Sequence, residues 1–259
     1  MIRIEEVNGL KLACWVNRRE WQAEQKTLVF IHGSGGDHTV WLHQCTAFKN
    51  AFNIAALDLP GHGRSEGPGE QDIAVYVEWV RQILEAMAVE KPVLIGHSLG
   101  AAIALHDALT RSDRLAGIVP VGGGAAMPVN QAILDGLKTD PEIIIAMAAK
   151  ISLAKSNRDR LSDVLTKSMS GMNPDILYGD FLACARHDVT TALSQIRVPT
   201  LVVCGDEDKM TPPAMSRQLA DNIPGAQRAL IKNAGHFVML ENVEDFNKCL
   251  RAFVESLMP

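Results

Sequence analysis

The sequence predicts an α/β fold, an open, doubly wound sheet with helices packed on both faces. Three observations carry that prediction. Short, almost continuously apolar runs recur at residues 27–31, 52–57, 92–95, 115–121, 200–204 and 227–231. Runs of this length, rich in Val, Ile and Leu, suit strands buried on both faces of a parallel sheet. Segments of helical period lie between them, and strands alternating with helices are the pattern of a doubly wound sheet. The third observation is the pentapeptide Gly96-His97-Ser98-Leu99-Gly100, set between Val93-Leu94-Ile95 and an alanine-rich run at 101–105. That order is a strand, a sharp turn and a helix, the context in which G-x-S-x-G exposes its serine hydroxyl above the sheet.

The chain opens with two alternating segments, 2–7 and 10–16, joined at Asn8-Gly9. Asn-Gly between alternating runs is the strongest short-range hairpin signal. Segment 73–87 carries Ile73, Val77, Val80, Leu84 and Met87 mostly three or four apart, the stripe of an amphipathic helix. Residues 98–109 and 215–222 are expected to be helical, and 243–258 closes the chain as another helix. Residues 127–193 break the rhythm. They hold no clear buried strand and read as several short helices, among them 143–153 and 157–168. Another helix opens at Asn173-Pro174, with Asn at the cap and Pro at the first helical position. The expected organisation is a core of 1–126 and 194–259 interrupted by a helical cap at 127–193.

Composition sets the bounds. At 259 residues, 47% hydrophobic and 21% charged, the chain is that of an ordinary globular protein able to bury a large core. A net charge of −5 with scattered Lys and Arg leaves no footprint for nucleic acid. The five cysteines are far apart with no C-x-x-C pair, which suits reduced core thiols in a cytoplasmic protein. The N-terminus carries no secretory-signal pattern. The longest apolar stretches, such as 143–149, fall well short of the roughly 20 residues that span a bilayer, so no membrane partner is expected.

A serine nucleophile needs a base, an acid to orient that base, and donors for the oxyanion. Each has a candidate at the C-terminal end of a predicted strand, where active sites of open α/β sheets collect. The base is His236, in the loop Ala234-Gly235-His236-Phe237 that follows the strand ending at Ile231. The other histidines are weaker: His32 and His97 abut glycine turns, His62 lies inside Pro60-Gly61-His62-Gly63, and His38, His43, His106 and His187 lack such a loop position. The acid lies in Gly205-Asp206-Glu207-Asp208; Asp208 is preferred because it precedes the Thr211-Pro212 helix start, and Asp206 is the fallback. The oxyanion donors are the backbone N–H of Leu99, helped by the helix dipole, and that of Ser34 in His32-Gly33-Ser34-Gly35-Gly36. With no G-x-G-x-x-G and no Lys-Ser/Thr pair, this glycine loop is not a phosphate cradle. Gly33 and Phe237 are expected substrate contacts, and Trp41 stands between a packing anchor and a substrate wall.

His32-Gly33, Asp58-Leu59-Pro60-Gly61-His62-Gly63-Arg64-Ser65, the Ser98 turn, Gly205-x-x-Asp208 and Gly235-His236 together resemble the α/β-hydrolase fold superfamily over nearly the whole chain. More narrowly, the chain resembles its small, capped esterases and lactonases. The order Ser98, Asp208, His236 is that superfamily's order. The resemblance implies the α/β-hydrolase fold: a mostly parallel eight-stranded sheet whose second strand is antiparallel, with 60–65 a structural turn beside the pocket. A serine nucleophile disfavours the dehalogenases and epoxide hydrolases of this fold, which use Asp. The expected activity is a carboxylic-ester hydrolase acting through an acyl-enzyme on Ser98, on small to medium apolar small-molecule esters, with no cofactor and no metal. Some of Met147, Leu153, Met169, Met172, Leu177, Tyr178 and Phe181 are expected to line an apolar pocket. The alternatives are lactone, thioester or carbon–carbon bond hydrolysis, or use of the same pocket by a ligand receptor or lyase. Phe237, where some carbon–carbon hydrolases carry Trp, weighs slightly against that reaction.

Overall fold

The computed structural model describes residues 1–257. Strands β1 (Ile2–Val7) and β2 (Leu10–Val16) form the expected hairpin, with Asn8 and Gly9 both at positive φ, 51° and 79°. The chain continues through β3 (Thr27–Ile31), α1 (Leu42–Phe48), β4 (Asn53–Leu57), α2 (Ile73–Ala86), β5 (Val93–His97), α3 (Leu99–Thr110) and β6 (Gly117–Val121). Four helices follow: α4 (Gln131–Thr139), α5 (Pro141–Ile151), α6 (Arg158–Ser170) and α7 (Pro174–Arg186). The closing elements are β7 (Leu201–Gly205), α8 (Pro213–Asn222), β8 (Gln227–Ile231), α9 (Val238–Glu241) and α10 (Val243–Ser256). The final helix was expected to reach Met258; it ends at Ser256, and Met258 lies outside the described residues.

The eight strands form one sheet in the order β1-β2-β4-β3-β5-β6-β7-β8. Strand β2 pairs antiparallel with both β1 and β4, and every other pairing is parallel. This is the α/β-hydrolase fold. Alternation splits each central strand between two cores. Val29 and Ile31 join Ala55 and Leu57 under α2 and α3, whereas Leu28 and Phe30 join Ile54, Ala56 and Ile95 under α1 and α10. Each such side chain, once buried, contributes about 1.5–3 kcal/mol. Strand β8 departs from the expectation of two buried faces, because it is the last strand of the sheet and has a neighbour on one side only. Trp41 is fully buried, with ring centroids 5.1 Å from Phe30 and 6.1 Å from Phe246. Its expected place as a substrate contact is therefore corrected: it is the anchor of the α1–α10 core, because a flat aromatic bridges strand and helix better there than at a pocket wall.

The four-helix segment leaves and rejoins the sheet at one place. Ala126 and Asp188 form a β-bridge, and the Val189 N–H donates to Ala125 O at 2.8 Å. The tightest point of the fold lies where β5 becomes α3. A Cβ on Gly96 would collide with the Gly100 carbonyl, and a Cβ on Gly100 with the carbonyl of Ile31. Gly100→Ala is therefore expected to destabilise by about 3 kcal/mol or more, because backbone cannot move aside as a side chain does. Gly225→Ala, where φ is +72° but nothing lies within 4 Å, should lose only about 1 kcal/mol through backbone strain. Urea unfolding of both variants checks the contrast, and equal losses would contradict it.

Candidate active site

Ser98 sits at the strand-to-helix turn with φ 52° and ψ −110°, a conformation that L residues rarely adopt. Strain of this kind, about 1–3 kcal/mol, persists only where the surroundings hold it. Here the Ser98 N–H donates to Val121 O at 2.9 Å, and Gly96 and Gly100 give the turn its room. The side chain is half-buried and opens into a cavity of about 330 Å³.

His236 lines the same cavity. Its Nδ1 lies 2.9 Å from Asp208 Oδ2. The Asp208 carboxylate also accepts from the Met210 N–H at 2.8 Å, the Thr211 N–H at 2.9 Å and the Thr211 hydroxyl at 2.9 Å. Burial opposes the charged form of Asp208, but the His236 charge and these hydrogen bonds outweigh it, holding the carboxyl below the usual carboxylate range. Asp206 goes elsewhere: it faces Lys232 Nζ at 3.4 Å, partly in solvent. The structure thus joins Asp208, and not Asp206, to His236.

Several residues behind this pair carried no clear signal in the sequence. Thr211, read only as a helix start, bonds Asp208 and also lies 3.2 Å from His236 Nδ1. The His236 N–H donates to Ser152 O at 2.6 Å, so a carbonyl at the end of α5 holds the histidine backbone. Glu241 accepts from the N–H groups of Gly235 and Ala154, tying the histidine loop to the same segment. His97 lies 4.7 Å from His236 between ring centroids, and its Nε2 donates to the His236 carbonyl at 3.0 Å. Burial, then the nearby His236 charge, pushes His97 well below the ordinary histidine range, so it stays neutral. Only its place beside the nucleophile could have suggested this role.

The glycine loop after β3 packs on the turn. A Cβ on Gly33 would lie 2.7 Å from His97 Nδ1 and 3.0 Å from Ser98 Cβ, so a glycine there lets the loop approach. His32 Nδ1 donates to Gly33 O at 2.8 Å, and its Nε2 accepts the Leu59 N–H at 3.1 Å. That assignment requires a neutral ring. Among the described residues, neither the Ser34 N–H nor the Leu99 N–H donates to a protein acceptor.

Phe237 lines the 330 Å³ cavity and also a second hollow of about 210 Å³ between the glycine loop and α6. Gly33 lines the second alone, and Ser34, His97 and Met169 border both. Of the apolar residues expected at the pocket, Met169 and Phe181 line the main cavity. Leu153 and Leu177 are buried in helix packing, Met147 is exposed, and Met172 and Tyr178 are partly buried against the cluster of Leu134, Leu137 and Leu177. The rest of the main cavity is largely apolar, with Met127, Val129, Ile133, Ile151 and Met210. All five cysteines are free thiols, and no described helix is long and apolar enough to cross a membrane.

The profile of the Alpha/beta hydrolase family matches residues 28–248. The dihydrolipoyllysine-residue acetyltransferase component of the acetoin cleaving system of Cupriavidus necator is 30% identical over 246 residues, which is 87% of this chain and 63% of that protein. The chain thus spans less than two thirds of the length of the first curated relatives it matches. A solved thermophilic esterase superposes with a TM-score of 0.87 at 31% identity, covering 99% of this chain and 98% of that one. An N-acyl homoserine lactone degrading enzyme superposes with a TM-score of 0.85 at 25% identity, over 97% and 100% of the two chains.

The neutral His32 makes stability depend on pH. Burial, then the His62 charge, lowers it from the ordinary 6.5 to about 4. That difference is worth roughly 3 kcal/mol, present in full above 6.5 and lost as the pH falls through 4, because the unfolded ring takes up its proton first. His97 and His187 act in the same direction, while His38 and His62, which are raised, act in the opposite one. Urea midpoints should fall as the pH is lowered from 6.5 to 4, and the fall should shrink in His32→Asn, which keeps one donor and one acceptor. A variant that tracks the parent at every pH removes His32 as the source.

Proposed function

The chain belongs to the alpha/beta hydrolase family, and from that premise we propose that it is a serine hydrolase of carboxylic esters, with Ser98 the nucleophile, His236 the base and Asp208 the orienting acid. One observation carries the reading. A serine on a strained turn and a histidine bonded to a buried aspartate open into one largely apolar cavity. The resemblance to a thermophilic esterase supports it.

In this mechanism His236 removes the proton of Ser98 as Oγ attacks the ester carbonyl. Asp208 fixes the ring tautomer with Nδ1–H toward the carboxylate and stabilises the imidazolium. The oxyanion is received by the Ser34 and Leu99 N–H groups, which have no protein acceptor among the described residues. The imidazolium then protonates the leaving alcohol. Water activated by the same ring hydrolyses the acyl-enzyme and frees Ser98. No step calls on a metal or an organic cofactor. Residues 127–193 act as a cap over a core of 1–126 and 194–259. Phe237 borders the substrate, a small to medium apolar small-molecule ester, with Gly33 at the adjoining hollow, in a cytoplasmic protein. Lactones fit the same chemistry, and the likeness to a lactone-degrading enzyme keeps them in the substrate class.

A panel of p-nitrophenyl esters of graded chain length, with a few lactones and thioesters, tests the reading. Turnover with an acyl-enzyme burst is expected, and Ser98→Ala and His236→Ala should each lower kcat by about 10⁴-fold or more. Asp208→Asn should fall by about 10⁴-fold because it favours the wrong tautomer, while Asp206→Asn should change little. No turnover on any acyl substrate, or undiminished turnover by Ser98→Ala, would sink the proposal.

A further inference from the structure

Asp180, on α7, is fully buried. Its Oδ2 accepts the Gly35 N–H at 3.1 Å and lies 2.9 Å from His62 Nε2. Its Oδ1 accepts the Tyr76 hydroxyl at 2.6 Å. The other nitrogen of His62, Nδ1, faces the Pro60 carbonyl at 3.0 Å, which can only accept. Both ring nitrogens therefore carry hydrogen, and the imidazolium balances the carboxylate. Burial lowers the pKa of His62, but Asp180 outweighs it and the net shift is upward. Away from water such a pair is held only when its donors and acceptors are matched, and here they are.

The destination of this carboxylate is the glycine loop. Gly35 has φ +68°, and a Cβ there would lie 3.0 Å from Leu177 Cδ1. One turn beyond Asp180, Cys184 Sγ lies 3.9 Å from Ser34 Oγ. Leu177, Asp180 and Cys184 share one face of α7, so this face grips residues 34 and 35. The peptide unit joining Gly33 to Ser34 is held from the other side. Its carbonyl accepts from His32 Nδ1 at 2.8 Å and from the Gly36 N–H at 3.1 Å. The Ser34 N–H belongs to that unit and the Gly35 N–H to the next, so with both units pinned the Ser34 N–H has one direction in which to point.

We propose that Asp180 is a positioning residue of the oxyanion hole, its carboxylate fixing the Gly35 N–H and so aiming the adjacent Ser34 N–H at the developing oxyanion. This rests on the reading of Ser34 as an oxyanion donor. It also gives α7 a second role: besides lining the cavity with Phe181, it is part of the catalytic frame. Nothing in a sequence links an aspartate in the cap to a glycine 145 residues earlier.

The test compares Asp180→Ala, Asp180→Asn and Tyr76→Phe in the full chain, after thermal melts establish that each is folded. Three readouts are taken: kcat and KM on p-nitrophenyl butyrate, affinity for a phenylboronic acid that forms a tetrahedral adduct, and amide hydrogen exchange of residues 33–36. Removing one oxyanion donor outright lowers kcat by about 10²–10³-fold, so misaiming one should lower it by about 10- to 100-fold. Asp180→Ala is expected to show that loss with KM little changed, boronate affinity reduced by the same factor, and faster exchange at 33–36. Asp180→Asn, which keeps an acceptor oxygen for Gly35, should recover most of it. Tyr76→Phe removes a buried hydrogen bond of the same cluster without touching the loop and should lose melting temperature but little kcat. An unchanged kcat in Asp180→Ala overturns the proposal, as does an equal kcat loss in Tyr76→Phe. If the parent protein neither turns over esters nor binds boronate, the esterase reading fails, and the exchange data still decide: unaltered exchange at 33–36 in Asp180→Ala overturns the holding of the loop.

Discussion

Where β5 turns into α3 the backbone has no room for a Cβ at Gly96 or Gly100, and the candidate site is organised around that crowding. Gly96 meets the Gly100 carbonyl, Gly100 meets the carbonyl of Ile31, and Gly33 meets His97 and Ser98. Three chain segments are thereby pressed within one contact layer. The positive φ of Ser98 follows from the same compression, since the helix must start at once if it is to pack on the strand. Tight packing of this kind is hard to compress and transmits strain directly. A serine held in this way needs little reorganisation before it reacts.

Histidines do much of the structural bonding around the turn. His32 is neutral, with one nitrogen donating to Gly33 O and the other accepting from Leu59 N–H. His97 is neutral and holds the carbonyl of His236. His62 is charged against Asp180. His32 and His62 each span two backbone or carboxylate partners, His97 holds one carbonyl, and the pattern of partners sets the charge of each ring. His236 differs in kind, with one nitrogen committed to Asp208 and the ring bordering the cavity. The proposed base is set apart by combining a carboxylate partner with a place at the cavity: His62 has the first alone and His97 the second alone.

Much of the fold was legible because its signals are local. Period-2 hairpin strands, continuous apolar runs and helical stripes mark their own positions, and Asn8-Gly9 and Asn173-Pro174 mark turns and caps through backbone chemistry. The short α1 and α9 carry too few residues to show a period. Asp208 was separable from Asp206 by its spacing to Thr211, and the structure gives the reason: a carboxylate there receives the N–H groups of the following turn. Trp41 stood between packing anchor and substrate wall because a tryptophan after a glycine loop reads the same in either place, and the structure buries it in the core.

The sequence by itself determined the fold class and singled out Ser98, Asp208 and His236 as the candidate set. Each lies at the end of a strand, and strand ends are fixed by nearby residues. Only the tertiary structure decided how these groups are supported. The bonds from Thr211, Ser152, Glu241, His97 and Asp180 join segments brought together by the sheet order and by the return of the helical segment to its starting point. Such contacts depend on where α5 and α7 dock, and docking is settled by the summed packing of many side chains. No single stretch of sequence encodes it.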